Sequence, residues 1–151
     1  MTKSILVLHG PNLNMLGQRE PATYGHETLA EIDQRIAAHG AAAGVNVSCR
    51  QSNAEGELVG LIQGTLGTAD GLLMNAGAYT HTSIAIHDAI RAAGVPTIEV
   101  HLSNVHAREV FRHQSYVSPV AIGVICGFGA MSYILALDAM IDFLSRSKSD
   151  A

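Results

Sequence analysis

Ile5-Leu6-Val7-Leu8 is a continuous apolar run near the start of the chain, and the polar stretch His9-Gly10-Pro11-Asn12 follows it directly. A short, wholly apolar run is typical of a strand buried on both faces of a parallel sheet. Four further strand-like runs lie at residues 45–49, 72–74, 97–100 and 120–126. These runs alternate along the chain with stretches whose apolar residues recur at helical spacing. We therefore predict an α/β three-layer sandwich with a five-stranded parallel sheet. The flavodoxin-like strand order 2-1-3-4-5 is common at this size.

The predicted helices lie between these runs, and two of them begin at a capping-box pattern. Thr28-Leu29-Ala30-Glu31 precedes one helical series, and Ser52-Asn53-Ala54-Glu55 precedes another that extends to Leu66. Further helical stretches are predicted at 82–93, ending at Gly94, at 107–111 and at 132–146. We therefore expect residues 1–151 to form a single domain.

The composition narrows the classes of function. Charged residues make up 15% of the chain, and the net charge is −4 without a basic run, so nucleic acid is not an expected partner. No stretch is long enough to span a membrane, and the first residues lead directly into a strand, so we expect neither an anchor nor a signal peptide. Cys49 and Cys126 are expected to be buried free thiols in a reducing compartment, which favours a cytoplasmic protein.

The low charge content also bears on assembly. Hydrophobic residues make up 48% of the chain, and a homo-oligomer would cover part of an apolar surface with a sister subunit. The alternative is an alanine-rich chain that merely scores as apolar.

Four polar segments follow the first four predicted strands. Ligands of open parallel sheets bind at the carboxyl ends of the strands, so we expect these segments to meet at one edge. They are rich in asparagine and histidine, which indicates a small-molecule pocket. The segments are residues 9–14, 50–53, 75–81 and 101–104.

Residues 17–25 form an unusually long connection between a strand and a helix. Gly17 and Gly25 could act as hinges of a lid over the pocket, with Arg19 and Tyr24 as possible catalytic groups. An ordinary mobile loop is the alternative.

Taken together, these segments resemble the type II 3-dehydroquinate dehydratases over residues 5–145. The motifs that carry the resemblance are Gly10-Pro11-Asn12-Leu13-Asn14, Arg19-Glu20-Pro21, Tyr24-Gly25, Gln51-Ser52-Asn53, Glu55-Gly56-Glu57-Leu58, Gly77-Ala78-Tyr79-Thr80-His81-Thr82-Ser83, Glu99-Val100-His101-Leu102-Ser103-Asn104, Ala107-Arg108-Glu109, Phe111-Arg112 and Gly123-Val124-Ile125-Cys126-Gly127-Phe128-Gly129.

The resemblance implies a dodecamer of flavodoxin-like subunits and a single catalytic domain. It implies an anti elimination of water from 3-dehydroquinate to 3-dehydroshikimate, through an enolate and without a cofactor. The same reaction serves chorismate biosynthesis by the shikimate pathway and quinate catabolism, and the sequence does not distinguish these roles. The type I enzymes use a Schiff-base lysine instead, and the only lysines here, Lys3 and Lys148, lie at the two extremities.

Four residues match the catalytic positions of the family. Tyr24 matches the base, and a phenol needs a nearby cation to stabilise its anion, for which Arg19 and either Arg108 or Arg112 are candidates. His101 matches the general acid and follows Glu99 by two residues, so both side chains share one face of a strand. Asn12 matches the residue that holds a water against the enolate oxygen, with Arg19 the fourth catalytic position and Glu20 a supporting one. Read without the family, the same residues could be a surface tyrosine, a neutral histidine and a turn-forming asparagine.

Six positions match the family's substrate-binding residues: Asn75, His81, Asp88, Leu102, Ser103 and Arg112. Leu102 would contribute its backbone amide, and Ser103 both its amide and its hydroxyl. Asp88 is expected to serve a neighbouring subunit's site, although a solvated helix charge is the simpler explanation. Departures from the family pattern at Ala54, Ala76, His87, Val110 and Met131-Ser132 bear on affinity or subunit packing rather than on the reaction.

Other functions on this fold fit the sequence less well. The eight histidines show no His-x-x-x-His spacing with a nearby carboxylate, so no catalytic metal is expected. A phosphoacceptor domain would need acidic residues where His9 and Asn75 stand. Gly127-Phe128-Gly129 is a weak candidate for a phosphate loop of a flavin or nucleotide carrier, and tight packing explains these glycines equally well.

Overall fold

A parallel sheet of five strands, in the order β2-β1-β3-β4-β5, forms the centre of the computed structural model. The strands are β1 Ser4–His9, β2 Asn46–Gln51, β3 Gly71–Asn75, β4 Thr97–His101 and β5 Gly123–Cys126. The structure describes residues 2–18 and 20–150, with side chains as far as Arg146. The predicted sheet and its strand order are confirmed.

Helices cover both faces of the sheet because each helix has one apolar side. The helices are α1 Pro21–Tyr24, α2 Leu29–Ala42, α3 Glu55–Gln63, α4 Ile84–Ala93 and α5 Met131–Asp150. On one face, Ile36 of α2 and Leu137 of α5 share a buried cluster with Val7. On the other face, Leu58 of α3 and Ile90 of α4 are buried with Leu8. Burial on both faces explains why the central strands are continuous apolar runs.

One of the two predicted capping boxes forms. The Thr28 hydroxyl accepts from the Glu31 amide at 3.2 Å, and the Glu31 carboxylate accepts from the Thr28 amide. The second prediction is wrong: the N-cap of α3 is Ala54, which makes no side-chain cap. The Ser52 hydroxyl instead accepts from the Ala54 amide at 3.0 Å, so it closes a turn before the helix begins.

Several boundaries differ from the sequence-based expectation. Leu66 lies beyond α3 and is exposed. The predicted helix at 107–111 consists of two single 3₁₀ turns, Val105–Ala107 and Val110–Arg112. The last strand begins only at Gly123, because Pro119 directs Ser118–Val120 into a further 3₁₀ turn. Both cysteines are half-buried rather than buried.

None of the described helices is long and apolar enough to cross a membrane.

Candidate active site

Residues from three of the four polar segments line one cavity of about 130 Å³ at the carboxyl ends of the strands. The cavity lies where a parallel sheet usually binds its ligand. Its lining residues are Pro11, Asn12, Leu13, Tyr24, Asn75, Gly77, Ala78, His81, His101, Leu102, Ser103, Val105, Arg108 and Arg112. A larger groove, of about 600 Å³, runs beside α4 and contains none of these residues.

The second polar segment supports the cavity from behind rather than lining it. The Asn53 side chain accepts from the Asn12 amide at 3.0 Å, and the Gln51 side chain donates to the Gly10 carbonyl at 3.1 Å. Asn12 has a left-handed backbone with φ of 69°, which asparagine tolerates better than most residues. The two contacts hold this turn in place.

Next to the lining residues Pro11, Asn75 and Gly77, the ends of β1 and β3 are in close contact. The Gly10 amide donates to the Asn75 carbonyl at 2.7 Å. A Cβ atom at position 10 would lie 2.4 Å from the Ala76 carbonyl oxygen, which is far inside contact distance. Glycine is therefore required here for the two backbones to meet.

Tyr24 ends the short helix α1 and reaches the cavity beside a cation. The Arg108 guanidinium carbon lies 5.2 Å from the centroid of the Tyr24 ring. Arg108 Nη1 also donates to the Ser103 hydroxyl at 3.3 Å, so one arginine contacts two lining residues. Glu20 is the N-cap of α1 and does not line the cavity. Arg19, a predicted catalytic residue, lies outside the described residues.

His101 and Glu99 form a buried pair, as their two-residue spacing in β4 predicts. His101 Nε2 donates to Glu99 Oε2 at 2.5 Å. Glu99 is only 2% exposed. Its carboxylate also accepts from the hydroxyls of Ser115, at 2.9 Å, and Ser118. Burial alone would raise the pKa of Glu99, but the hydrogen bonds from His101, Ser118 and Ser115 outweigh it and hold the pKa below its ordinary value.

His81 stands beside His101 in a fixed tautomer. The two rings are stacked with centroids 6.4 Å apart. His81 Nδ1 donates to the Gln114 carbonyl at 2.8 Å, since a carbonyl can only accept. Burial lowers the pKa of His81 below 6.5, although the Gln114 contact opposes this. The neutral ring therefore keeps Nε2 as a hydrogen-bond acceptor near neutral pH.

The remaining predicted binding residues divide into two groups. Asn75, Leu102, Ser103 and Arg112 line the cavity. Arg112 Nε donates to Glu109 at 2.5 Å, which leaves its other guanidinium N–H groups for further contacts. Asp88 lies on the exposed side of α4 and is not part of this cavity.

Ser115 and Ser118 are functional candidates that sequence reasoning missed. They follow β4 at a distance of 16 and 19 residues from Glu99, on a loop with no secondary-structure signal. The sequence feature that could have identified them is the presence of two serines, three positions apart, just before Pro119. Such a pair is also common in ordinary turns.

One further cluster of potential metal ligands lies outside the cavity. Ligand atoms of His9, Asp33 and Cys49 lie within 4.8 Å of one another. His9 Nε2 already donates to Asp33 Oδ1 at 2.7 Å. Burial, aided by the charge of Asp33, raises the pKa of the Cys49 thiol to about 12. The cluster therefore contains a protonated thiol and a satisfied imidazole, and these contacts account for it without an ion.

The fold and the cavity define an α/β protein with a polar small-molecule pocket at its strand ends. The model of the Dehydroquinase class II family matches residues 3–141. The chain therefore belongs to the class II dehydroquinase family, and the resemblance seen in its motifs is confirmed.

Individual relatives agree with this assignment. A 3-dehydroquinate dehydratase of Ruegeria pomeroyi is 58% identical over 142 residues, covering 94% of this chain and 95% of the relative. One from Synechocystis is 57% identical over 141 residues, covering 93% of each chain. The crystal structure of a type II dehydroquinase from Butyrivibrio crossotus superposes with a TM-score of 0.91 at 43% identity, covering 92% of this chain and 97% of that one.

Proposed function

We propose that this cavity dehydrates 3-dehydroquinate to 3-dehydroshikimate, so that the chain acts as one catalytic domain with hydro-lyase activity. One observation carries the proposal: Tyr24 and His101, a candidate proton acceptor and a candidate proton donor, line the same cavity. Removal of water from a β-hydroxy ketone requires such a pair, together with groups that stabilise the enolate between the two steps. No cofactor enters this scheme.

In the first step, the Tyr24 phenolate removes a proton from the carbon beside the ketone. The electron pair of the broken C–H bond moves into the ring and gives an enolate. Arg108 lies over the Tyr24 ring, so its positive charge stands next to the group that reacts. Asn12 lines the same cavity and would hold a water against the enolate oxygen.

In the second step, His101 protonates the departing hydroxyl, which leaves as water while the carbon–carbon double bond forms. His101 Nε2 is engaged with Glu99, so Nδ1 is the nitrogen that would deliver the proton. The ionised Glu99 carboxylate fixes the orientation of the ring through this hydrogen bond. One proton is taken by Tyr24 and one is given by His101, so the net change is loss of one water.

Binding would use the remaining lining groups. The substrate combines a carboxylate with several hydroxyls and a ketone. Backbone and hydroxyl donors at Leu102 and Ser103 suit the carboxylate, and the acceptor nitrogen of neutral His81 suits a hydroxyl. Asn75 and Arg112 offer donors to the other oxygens.

We further propose that the chain assembles as a homododecamer in the cytoplasm, with Asp88 reaching a neighbouring subunit's cavity. Exposed apolar side chains on and around the edge strand β5 support an assembly, because a solvated edge seldom carries so many. Ile122, Val124 and Phe128 are 46%, 44% and 63% exposed. The reaction would serve either chorismate biosynthesis or quinate breakdown.

A turnover assay tests the function directly. Purified protein is mixed with 3-dehydroquinate, and the conjugated enone product is followed by its ultraviolet absorbance, with and without a chelator and borohydride. We expect turnover that neither reagent affects. A folded, assembled protein without turnover would contradict the proposal, and inhibition by borohydride would contradict an imine-free mechanism.

A further inference from the structure

A chain of hydrogen bonds links the surface of α2 to the cavity through a buried tyrosine. Asp33 Oδ1 lies 2.7 Å from His9 Nε2, and His9 Nδ1 lies 2.8 Å from the Tyr133 hydroxyl. The same hydroxyl accepts from Asn75 Nδ2 at 2.9 Å. We propose that Tyr133 is a positioning residue, which fixes the side-chain amide of Asn75 so that the amide presents an N–H donor to a substrate oxygen. This inference rests on the proposed function.

The direction of each hydrogen bond in the chain follows from its partners. A carboxylate only accepts, so His9 donates from Nε2 to Asp33 and leaves the Nδ1 lone pair free in the neutral ring. Tyr133 then donates its hydroxyl proton to Nδ1. Burial raises the pKa of Tyr133, so the hydroxyl keeps that proton. Its oxygen is left as an acceptor for Asn75.

The consequence for Asn75 is a single orientation of its amide. The Asn75 oxygen accepts from the Gly77 amide at 3.1 Å, and one of the two N–H groups donates to Tyr133. A flipped amide would lose both contacts and leave the buried Asn75 side chain without its partners, which is costly. One N–H group remains for a ligand, so Tyr133 determines that Asn75 acts as a donor in the cavity.

A purely structural role is the competing explanation. His9 and Tyr133 are fully buried, and buried polar groups need partners wherever they lie. The two roles differ in their kinetic effect. Loss of packing lowers stability and the fraction of active protein, whereas loss of Asn75 orientation weakens substrate binding and raises KM.

The first test is Tyr133→Phe, which removes the hydroxyl alone. We expect KM for 3-dehydroquinate to rise about tenfold with kcat changed less than about twofold, which is the effect of one binding hydrogen bond. The matched control is His39→Leu. It breaks another histidine–aspartate contact, this one from His39 of α2 to Asp138 of α5 at 2.7 Å, and should leave KM unchanged.

Two further variants keep the test valid if Tyr133→Phe does not fold. His9→Asn places an amide oxygen near the lost Nδ1, so it should keep most of the wild-type KM. Asp33→Ala removes the half-exposed outer end of this series of hydrogen bonds. It should also raise KM, but by less than Tyr133→Phe does. Equal KM values for parent and Asp33→Ala, in the absence of folded Tyr133→Phe, would overturn the proposal.

A second measurement does not depend on turnover. The measurement is the NMR signal of the Asn75 side-chain amide, which is assigned by its loss in Asn75→Asp. The amide protons should exchange slowly with solvent in the parent protein and rapidly in Tyr133→Phe. If the parent has no turnover, the proposed function fails and this signal alone tests the role of Tyr133. An unchanged amide signal overturns the proposal, and so does a fall in kcat without a rise in KM.

Discussion

Arg108 joins two parts of the cavity that are distant in the chain, because it lies over Tyr24 and donates to Ser103. Because Arg108 lies beside Tyr24, we expect the Tyr24 hydroxyl oxygen to be the atom that contributes most to proton removal. We expect Tyr24→Phe to reduce kcat by about 10²- to 10⁴-fold, the usual contribution of a general base, while its mass in solution stays that of the parent protein. The assay is the ultraviolet measurement above. Tyr116→Phe is the control, since Tyr116 does not line the cavity. Near-normal turnover of Tyr24→Phe would exclude it as the base.

Glu99 gives a prediction about pH. Its pKa is lowered from 4.5 in the folded protein, so its hydrogen bonds stabilise the fold above pH 4.5, and this contribution is lost as the pH falls through the lowered pKa. Ser118→Ala removes one of those bonds. We expect it to cost about 2 kcal/mol of unfolding free energy at pH 7, and the cost to shrink below pH 4.5.

Urea unfolding of the parent and of Ser118→Ala, at pH 7 and at a pH below 4.5, measures how much the substitution costs at each pH. The exposed Ser48→Ala is the control and should differ little from the parent at either pH. A cost of Ser118→Ala that is the same at both pH values would mean that the hydroxyl does not act through the Glu99 charge.

The two capping-box patterns make the limits of local sequence clear. Thr28 and Ser52 begin the same motif, yet only Thr28 caps its helix, because Ser52 bonds the Ala54 amide two positions on. We expect Thr28→Ala to lower the unfolding free energy by about 1 kcal/mol, and Thr28→Ser to retain most of it. Thr82→Ala, at an exposed position, is the control for thermal unfolding. An unchanged unfolding free energy in Thr28→Ala would mean that the Glu31 carboxylate alone is enough to cap the N-terminus of α2.

Continuous apolar runs made the central strands predictable, since a strand buried on both faces needs apolar residues at successive positions. The strand order was predicted from the frequency of the flavodoxin-like arrangement and from the family resemblance, because the sequence pattern itself does not contain it. The cavity was predictable to the level of its segments, because parallel strands all end at one edge. The contacts within it were not: Ser118 meets Glu99, and Tyr133 meets His9 across 124 residues. Such contacts depend on how loops and helices dock, and local periodicity carries no information about docking.

The apolar edge at β5 tests the proposed assembly at the scale of the whole molecule. If β5 forms a subunit contact, we expect Val124→Lys to reduce the mass of the protein in solution, because the lysine charge would be buried there without a partner. Gln34→Lys, on the exposed side of α2, is the control. Light scattering after size-exclusion chromatography measures both. An unchanged mass for Val124→Lys would place the subunit contact elsewhere.

The contact between Gly10 and Ala76 has a consequence for inhibitor design. It lies directly beside the lining residues Pro11, Asn75 and Gly77 and is held by a 2.7 Å hydrogen bond between Gly10 and Asn75, so this part of the lining cannot retreat from an added substituent. The lining also includes the Tyr24 and Arg108 side chains, which can rotate about their own bonds. A ligand series enlarged toward Pro11 and Asn75 should lose affinity with its first extra methyl group, whereas one enlarged toward Tyr24 should tolerate bulk and gain a stacking partner.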